Sequence, residues 1–359
     1  MSKIEATIFS VEHLAEEDAQ QLSELTEVVT QLIEREAGLR EIRTAYDELI
    51  ETCFDLRQYE MAVGGLNFLR ENSSELELSD VETANLYRKF GTIAFLKKET
   101  DEAKTEFNKA LNLVKEDVDV TLEAKLLCDL GNVAATEADV SEAIEYYEAA
   151  IELSEEHGIE MPEPFINLGL MYLETENIGE AIECFETALE LYGEEEALDK
   201  QEMLHLQLGN IYAVQSNYKD ALLNYHYASE LQEEDTEILA KTYVAMAGVL
   251  SAMAEHDKSI EYYEKALPIL LKHGDIEVKS QHYFQLANLY TRYKEDYAKA
   301  LECYKSALEI AKTEEEHQEW RDLMVAKLED SIEVAEESLS KVSSKKSKKS
   351  GFFGKLFGK

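Results

Sequence analysis

Six stretches of the 359-residue chain repeat one four-point register. Small residues at Gly91, Gly131, Gly169, Gly209, Ala247 and Ala287 lie 40, 38, 40, 38 and 40 residues apart. Twelve residues after each stands a second small residue: Ala103, Ala143, Ala181, Ala221, Ser259 and, after one extra residue, Ala300. Four further on is a ring (Phe107, Tyr147, Phe185, Tyr225, Tyr263, Tyr304), and three beyond that is always alanine (Ala110, Ala150, Ala188, Ala228, Ala266, Ala307). Spacings of three and four keep these positions on one helical face. Small residues let two antiparallel helices approach closely, and the ring is expected to fill the gap toward the neighbouring repeat. Polar links such as TEADV, TENIG, QSNYK and AEHDK separate the two helices of a pair. A single pair cannot bury its apolar face alone, so the copies must stack.

This register resembles the tetratricopeptide repeat over roughly residues 46–312. The family's large, small and aromatic positions match Leu130, Gly131, Ala143, Tyr147 and Ala150, and equally Leu208, Gly209, Tyr212, Ala221, Tyr225 and Ala228. An earlier copy keeps Ala62 but has Ile50 and Leu66 where small and aromatic residues belong, and reads as a degenerate first repeat. The family's 34-residue form usually has proline five residues after the last alanine. Here those positions hold Lys115, Glu155, Gly193, Glu233, Leu271 and Lys312, so the second helix is expected to run about four residues longer. The longer period resembles the forty-residue subclass of kinesin light chains and spindle-orientation scaffolds. The resemblance implies an all-α fold, a right-handed superhelical solenoid of antiparallel helix pairs, with about six clear units, one degenerate unit and capping helices.

Four segments follow from this reading. Residues 1–45 form an N-terminal helical cap, in which Leu22, Leu25, Val29 and Leu32 suit either a capping helix or a short coiled coil. Residues 46–312 form the array. Residues 313–342 form a C-terminal capping helix, with Trp320, Met324, Leu328 and Ile332 laid over the last repeat. Residues 343–359 form a basic flexible tail ending in a short amphipathic segment. The first 340 residues carry a formal charge of −48, and the seven lysines from Lys341 onward carry +7.

So acidic a body repels polyphosphate, and no nucleic-acid partner is expected for it. The 31 Tyr and Phe residues are more than a solvated coil needs. Cys53, Cys128, Cys184 and Cys303 are far apart, which fits reduced thiols in a cytoplasmic protein better than disulfides or a zinc site. Cys184 and Cys303 share a repeat position, which argues for packing. No secretory signal opens the chain, and its most apolar stretch, Tyr243 to Ala254, is too short to span a bilayer. The eight histidines form no metal pair, and no phosphate loop or catalytic constellation is present. The chain is therefore read as a non-enzyme with no cofactor.

In the resembled family the first helix of each pair lines a concave surface. Its contact positions carry over to Asn85, Arg88, Lys125, Asn132, Ile166, Leu206, Asn210, Lys241, Val244, Gln281, Phe284 and Asn288. Asparagine recurs every 78 residues at Asn132, Asn210 and Asn288. A carboxamide donates and accepts, so such a row suits the backbone of an extended peptide, or else holds neighbouring helices. Lysine is missing four residues before each asparagine, where Cys128, Leu206 and Phe284 stand, so a carboxylate clamp for acidic chaperone tails is not expected. The expected partner is a protein or peptide of basic or amphipathic character.

In the tail, Phe352, Phe353, Leu356 and Phe357 fall within about 140° of a helical projection. With Lys345, Lys346, Lys348, Lys349 and Lys355 they suit an anionic membrane surface, a groove on another protein, or this chain's own groove. The expected function is a scaffold that binds a peptide in the concave groove and is recruited to a membrane or assembly by its tail. The alternative is a regulatory sensor whose tail is autoinhibitory or docks on a partner.

Overall fold

The computed structural model describes the backbone of residues 16–114, 119–193, 197–231 and 236–357, with side chains from residue 18 through 344 in those spans. All of the regular structure there is helical. The chain divides into two compact units, Met1–Leu191 and Tyr192–Lys359.

The first unit holds α1 (Glu16–Glu34), α2 (Leu39–Asp55), α3 (Tyr59–Glu71), α4 (Asp80–Leu96), α5 (Thr100–Val114), α6 (Val120–Thr136), α7 (Val140–His157), α8 (Pro162–Glu174) and α9 (Ile178–Tyr192, its last residue beyond the boundary). Leu22, Val29 and Leu32 of α1 are buried in the same cluster as residues of α2 and α3. The second unit holds α10 (Leu198–Val214), α11 (Tyr218–Glu230), α12 (Glu237–Ala252), α13 (His256–His273), α14 (Ile276–Leu289), a π-helical turn (Tyr290–Lys294), α15 (Tyr297–Ala311) and α16 (Gln318–Phe357). Met324, Leu328 and Ala335 of α16 are buried with α14 and α15, while Trp320 and Ile332 pack against that cluster. The helix continues through Phe357, past residue 342, where the sequence reading passes from cap to tail.

The small residues do the work their spacing implies, with one revision. In the four pairs with glycine at the small position, the ring sits directly on that residue of its own first helix. A Cβ added at Gly91 would lie 2.5 Å from Phe107, one at Gly131 2.5 Å from Tyr147, and one at Gly169 2.7 Å from Phe185. The ring also reaches its successor: Phe107 shares a buried cluster with Leu122, Leu126 and Leu130 of the next first helix. In the degenerate pair the sizes are exchanged. Gly65 on the second helix faces Tyr46 and Ile50 on the first, so the close approach survives with its partners swapped.

Every turn inside a pair is built alike. Arg57, Lys98, Ala138, Glu176, Ser216 and Ala254 stand seven residues after the small position and all have φ between 56° and 64°. Glu295, one residue later in its repeat, has φ 50°. At the third of these turns Asp139 N donates to Ala134 O and Ala138 N to Ala135 O, closing the helix end against its last carbonyls. The extra residue of the last repeat becomes the π-helical turn Tyr290–Lys294, which keeps Tyr304 in register with Asn288. Glycine stops α7 and α9, with Gly158 and Gly193 at φ 64° and 66°. Gly274 ends α13 in extended backbone instead. Lengthened second helices of 18 residues occur in α7 and α13, and 17-residue first helices (α4, α6, α10) take up more of the long period.

Candidate functional site

The asparagines on the first helices are tied to the rings of the second. Tyr147 donates its hydroxyl to Asn132 Oδ1, Tyr225 to Asn210 Oδ1 and Tyr304 to Asn288 Oδ1, each at 2.8 Å. Burial pushes the Tyr147 and Tyr225 phenols upward, Tyr225 to about 12, so these two hydroxyls stay protonated donors at neutral pH. Where the ring is Phe107 or Phe185, no hydroxyl needs an acceptor, and the matching positions hold Thr92 and Leu170. The 78-residue recurrence thus follows tyrosine at the ring position. Only Tyr263, whose matching residue is Gly248, breaks the pairing. Asn132 also accepts from Asn167 Nδ2 at 2.9 Å. The carboxamide carbonyls are therefore engaged internally, and what remains toward a ligand is the amide donor, most openly at exposed Asn210.

In the first unit most of the expected contact residues are buried or bonded to other residues of the fold. Asn85 is exposed and donates to Val81 O at 3.0 Å. Arg88 bonds Asp129 through Nε at 2.6 Å, although burial still raises the Asp129 carboxyl above its usual range. Lys125 is exposed, and Ile166 is 8% exposed, a wall more than a reachable anchor. Ion pairs such as Arg43–Glu82, Lys89–Glu51 and Lys104–Glu142 join residues 38 or 39 positions apart, so these cations link successive repeats. Cys128 and Cys184 are buried thiols pushed up to about 12 and about 11, and half-buried Cys303 to about 11, all chiefly by burial, which disfavours the thiolate.

The second unit brings three of its seven expected contact residues together around an open space. Lys241 and Val244 of α12 and Gln281 of α14 line a concavity of about 660 Å³ with Ala245, Tyr263, Leu270, Glu277, Val278, His282, Gln285 and Trp320. Its walls are mostly apolar and its rim carries the amides and charges. Leu206 and Asn210 lie on α10, and Leu206 packs against the cluster around Tyr225 and Met246. Phe284, expected as an apolar anchor, is 6% exposed, tilted against Tyr304 and covered by the Lys327 ammonium of α16. It belongs to the core because α16 lies over it. Trp320 was legible only as a capping residue, since nothing in its local spacing shows that α16 would close one side of a concavity.

His282 sits in the concavity wall with Nε2 2.7 Å from Tyr263 O, and burial lowers it to about 4, so the ring is neutral. His205 is half-buried between Asn224 Oδ1, at 3.0 Å, and the ring of Tyr227. Among the described residues no group of three His, Cys, Asp or Glu side chains could hold a metal ion, and no helix is long and apolar enough to cross a membrane. The side chains of Lys345, Lys346, Lys348, Lys349, Phe352, Phe353, Lys355, Leu356 and Phe357 lie outside the described residues.

Three family profiles, each described as a tetratricopeptide repeat, match the chain: one at residues 82–156 and 122–194, one at 240–268 and one at 283–318. No curated protein sequence matches it. Among solved structures, the apo form of the quorum sensor NprR from B. thuringiensis is 14% identical with a TM-score of 0.55, covering 90% of this chain and 99% of its own. The apo form of RapI is 17% identical with a TM-score of 0.53, covering 75% and 97%. The APC/C hetero-tetramer Cut9–Hcn1 contains a chain 16% identical with a TM-score of 0.50, covering 89% and 52%. These likenesses are of fold.

Proposed function

Because this chain is a tetratricopeptide-repeat protein, we propose that it is a non-enzymatic cytoplasmic scaffold that holds a peptide segment of a partner against the first helices of its pairs. The observation that carries the reading is the concavity of the second unit, where Lys241, Val244 and Gln281 from two successive first helices meet around apolar walls. Apolar concavities rimmed by a few polar groups are where ligands bury surface and find orientation. The exposed amide of Asn210 and the rim amides of Gln281 and Gln285 supply donors for a peptide's carbonyl groups. The acidic body favours a partner segment of basic or amphipathic character. The tail, opposite in charge to the body, recruits the complex to an anionic membrane or a larger assembly.

Asparagine removal alone would be an ambiguous test, since it also strips an acceptor from a buried tyrosine. The informative comparison is a pull-down with the Asn132/Asn210/Asn288 triple alanine variant, the Tyr147/Tyr225/Tyr304 triple phenylalanine variant and the tail-deleted chain. The phenylalanine set loses the same three tyrosine–asparagine bonds and keeps the carboxamides, including the Asn167–Asn132 bond. Partners retained by phenylalanine and lost with alanine are groove ligands; equal loss from both would mean that the asparagines serve packing only. Equal sedimentation of intact and tail-deleted chains with anionic vesicles would exclude the membrane role.

A further inference from the structure

The concavity of the second unit has one wall made by α16, whose Trp320 is the chain's sole tryptophan. Val278 at its mouth is 38% exposed, an apolar side chain left in water at the edge of an apolar space. Its rim is not basic: the Lys241 ammonium is already held by Glu237 at 2.7 Å, Glu277 lines the opening, and Glu314, Glu315, Glu316 and Glu319 flank the start of α16 in sequence. A segment that fills such a space needs rings for its walls and lysines for its surroundings. The last 15 residues of this chain have that composition, six lysines and no acid around Phe352, Phe353, Leu356 and Phe357.

The tail cannot reach the concavity of its own chain. Trp320 lies in the first turn of α16, and the helix is continuous through Phe357. Thirty-two residues separate Trp320 from Phe352, about 48 Å along the axis at 1.5 Å per residue. We propose that the concavity lined by Val244, Val278 and Trp320 receives the C-terminal segment 345–359 of a second copy of this chain, joining copies head to tail. The proposal rests on the reading of the tail as an attachment element and names what it attaches to. The contact is heterologous, so it builds open chains or closed rings of copies, a reciprocal pair being the smallest ring. A peptide competing for the same space would release the tail, which couples partner binding to disassembly.

The test uses the full chain. Light scattering at rising concentration should show a mass above that of one chain, with a midpoint on the order of 10 µM as for small transient interfaces. Trp320 emission should move to shorter wavelength in step, as the tail displaces water from its ring. Val278→Lys puts a cation in the mouth at an already exposed position, and Phe353→Ser with Phe357→Ser removes the rings. Each variant alone should associate about tenfold or more weakly. Their equimolar mixture should regain association, because one supplies an intact concavity and the other an intact tail. Should circular dichroism show Val278→Lys unfolded, Gln281→Arg takes its place. A mixture that stays as single chains, or a concavity variant that associates as well as the parent, overturns the proposal. So does a parent chain that stays single at all concentrations while its tail carries it down with anionic vesicles, a result that leaves the membrane reading standing.

Discussion

At the scale of single residues, glycines that look alike in the sequence have opposite roles. A Cβ at Gly209 would run into the Tyr225 ring, whereas at Gly248 nothing lies within 4 Å, although both are in first helices. Gly209→Ala should therefore destabilise by about 1–3 kcal/mol through overpacking. Gly248→Ala should stabilise by about 0.5–1 kcal/mol through helix propensity. Denaturant midpoints of the two variants check both signs. Two buried titratable groups of the second unit make a similar opposed pair. Burial, with the Asp199 charge, raises Glu202 from 4.5 to about 7, so its stabilising contribution is full below pH 4.5 and is lost as pH rises toward 7. Burial lowers His282 from 6.5 to about 4, so its contribution is full above pH 6.5 and is lost as pH falls toward 4. Glu202→Gln should gain stability over the parent at pH 8 and lose that advantage by pH 4.5, whereas a His282→Gln chain should lose less stability than the parent between pH 7 and pH 4. Denaturation at pH 4.5, 7 and 8 would expose a wrong sign in either. Small residues were legible as close approaches because a missing side chain has one dominant use in a helix. The asparagines were legible as a pattern but not as a role, since a carboxamide serves a ligand or a buried hydroxyl equally well and the spacing is the same.

At the scale of the element, the link inside each pair carries a signal that residue types conceal. Arg57, Lys98, Ala138, Glu176, Ser216, Ala254 and Glu295 share no chemistry, yet all adopt the left-handed region. Side chains with a Cβ are strained there by about 1–2 kcal/mol, and glycine's greater freedom in the unfolded chain offsets part of any relief. Ala138→Gly and Ser216→Gly should each stabilise by about 0.5–1 kcal/mol, read as a higher denaturant midpoint with an unchanged slope. A loss in both would mean that these backbones are not left-handed in solution. The turns are uniform because backbone hydrogen bonds set them, and no side chain has to be chosen for that purpose. The π-helical turn at Tyr290–Lys294 is the converse case: the single extra residue before Ala300 was visible by counting, but its placement in a helix end instead of a longer link was not. The helix absorbs it because Tyr304 must still reach Asn288 at 2.8 Å and Ala300 must stay fully buried.

At the scale of the whole molecule, the packing is local in sequence within each unit. The buried clusters join neighbouring helices: α4 to α6 share Phe107, Leu126 and Leu130, and α6 to α9 share Cys128, Tyr147, Met171 and Cys184. Stability in such an array is a sum of pair terms and nearest-neighbour interfaces, so damage should spread only as far as the interfaces it breaks. Gly131→Leu tests this, because the added side chain must displace the Tyr147 ring, whose cluster extends no further than α9. Hydrogen exchange followed by mass spectrometry should show faster exchange in α6 and α7, a smaller effect in α5 and α8, and unchanged protection in α2 and α14. Uniform acceleration along the chain would mean that it unfolds as one cooperative body. In that case a partner bound at the second unit would stiffen every repeat. With local coupling, order gained in α12, α14 and α16 stops at their immediate neighbours and leaves the protection of the first unit unchanged.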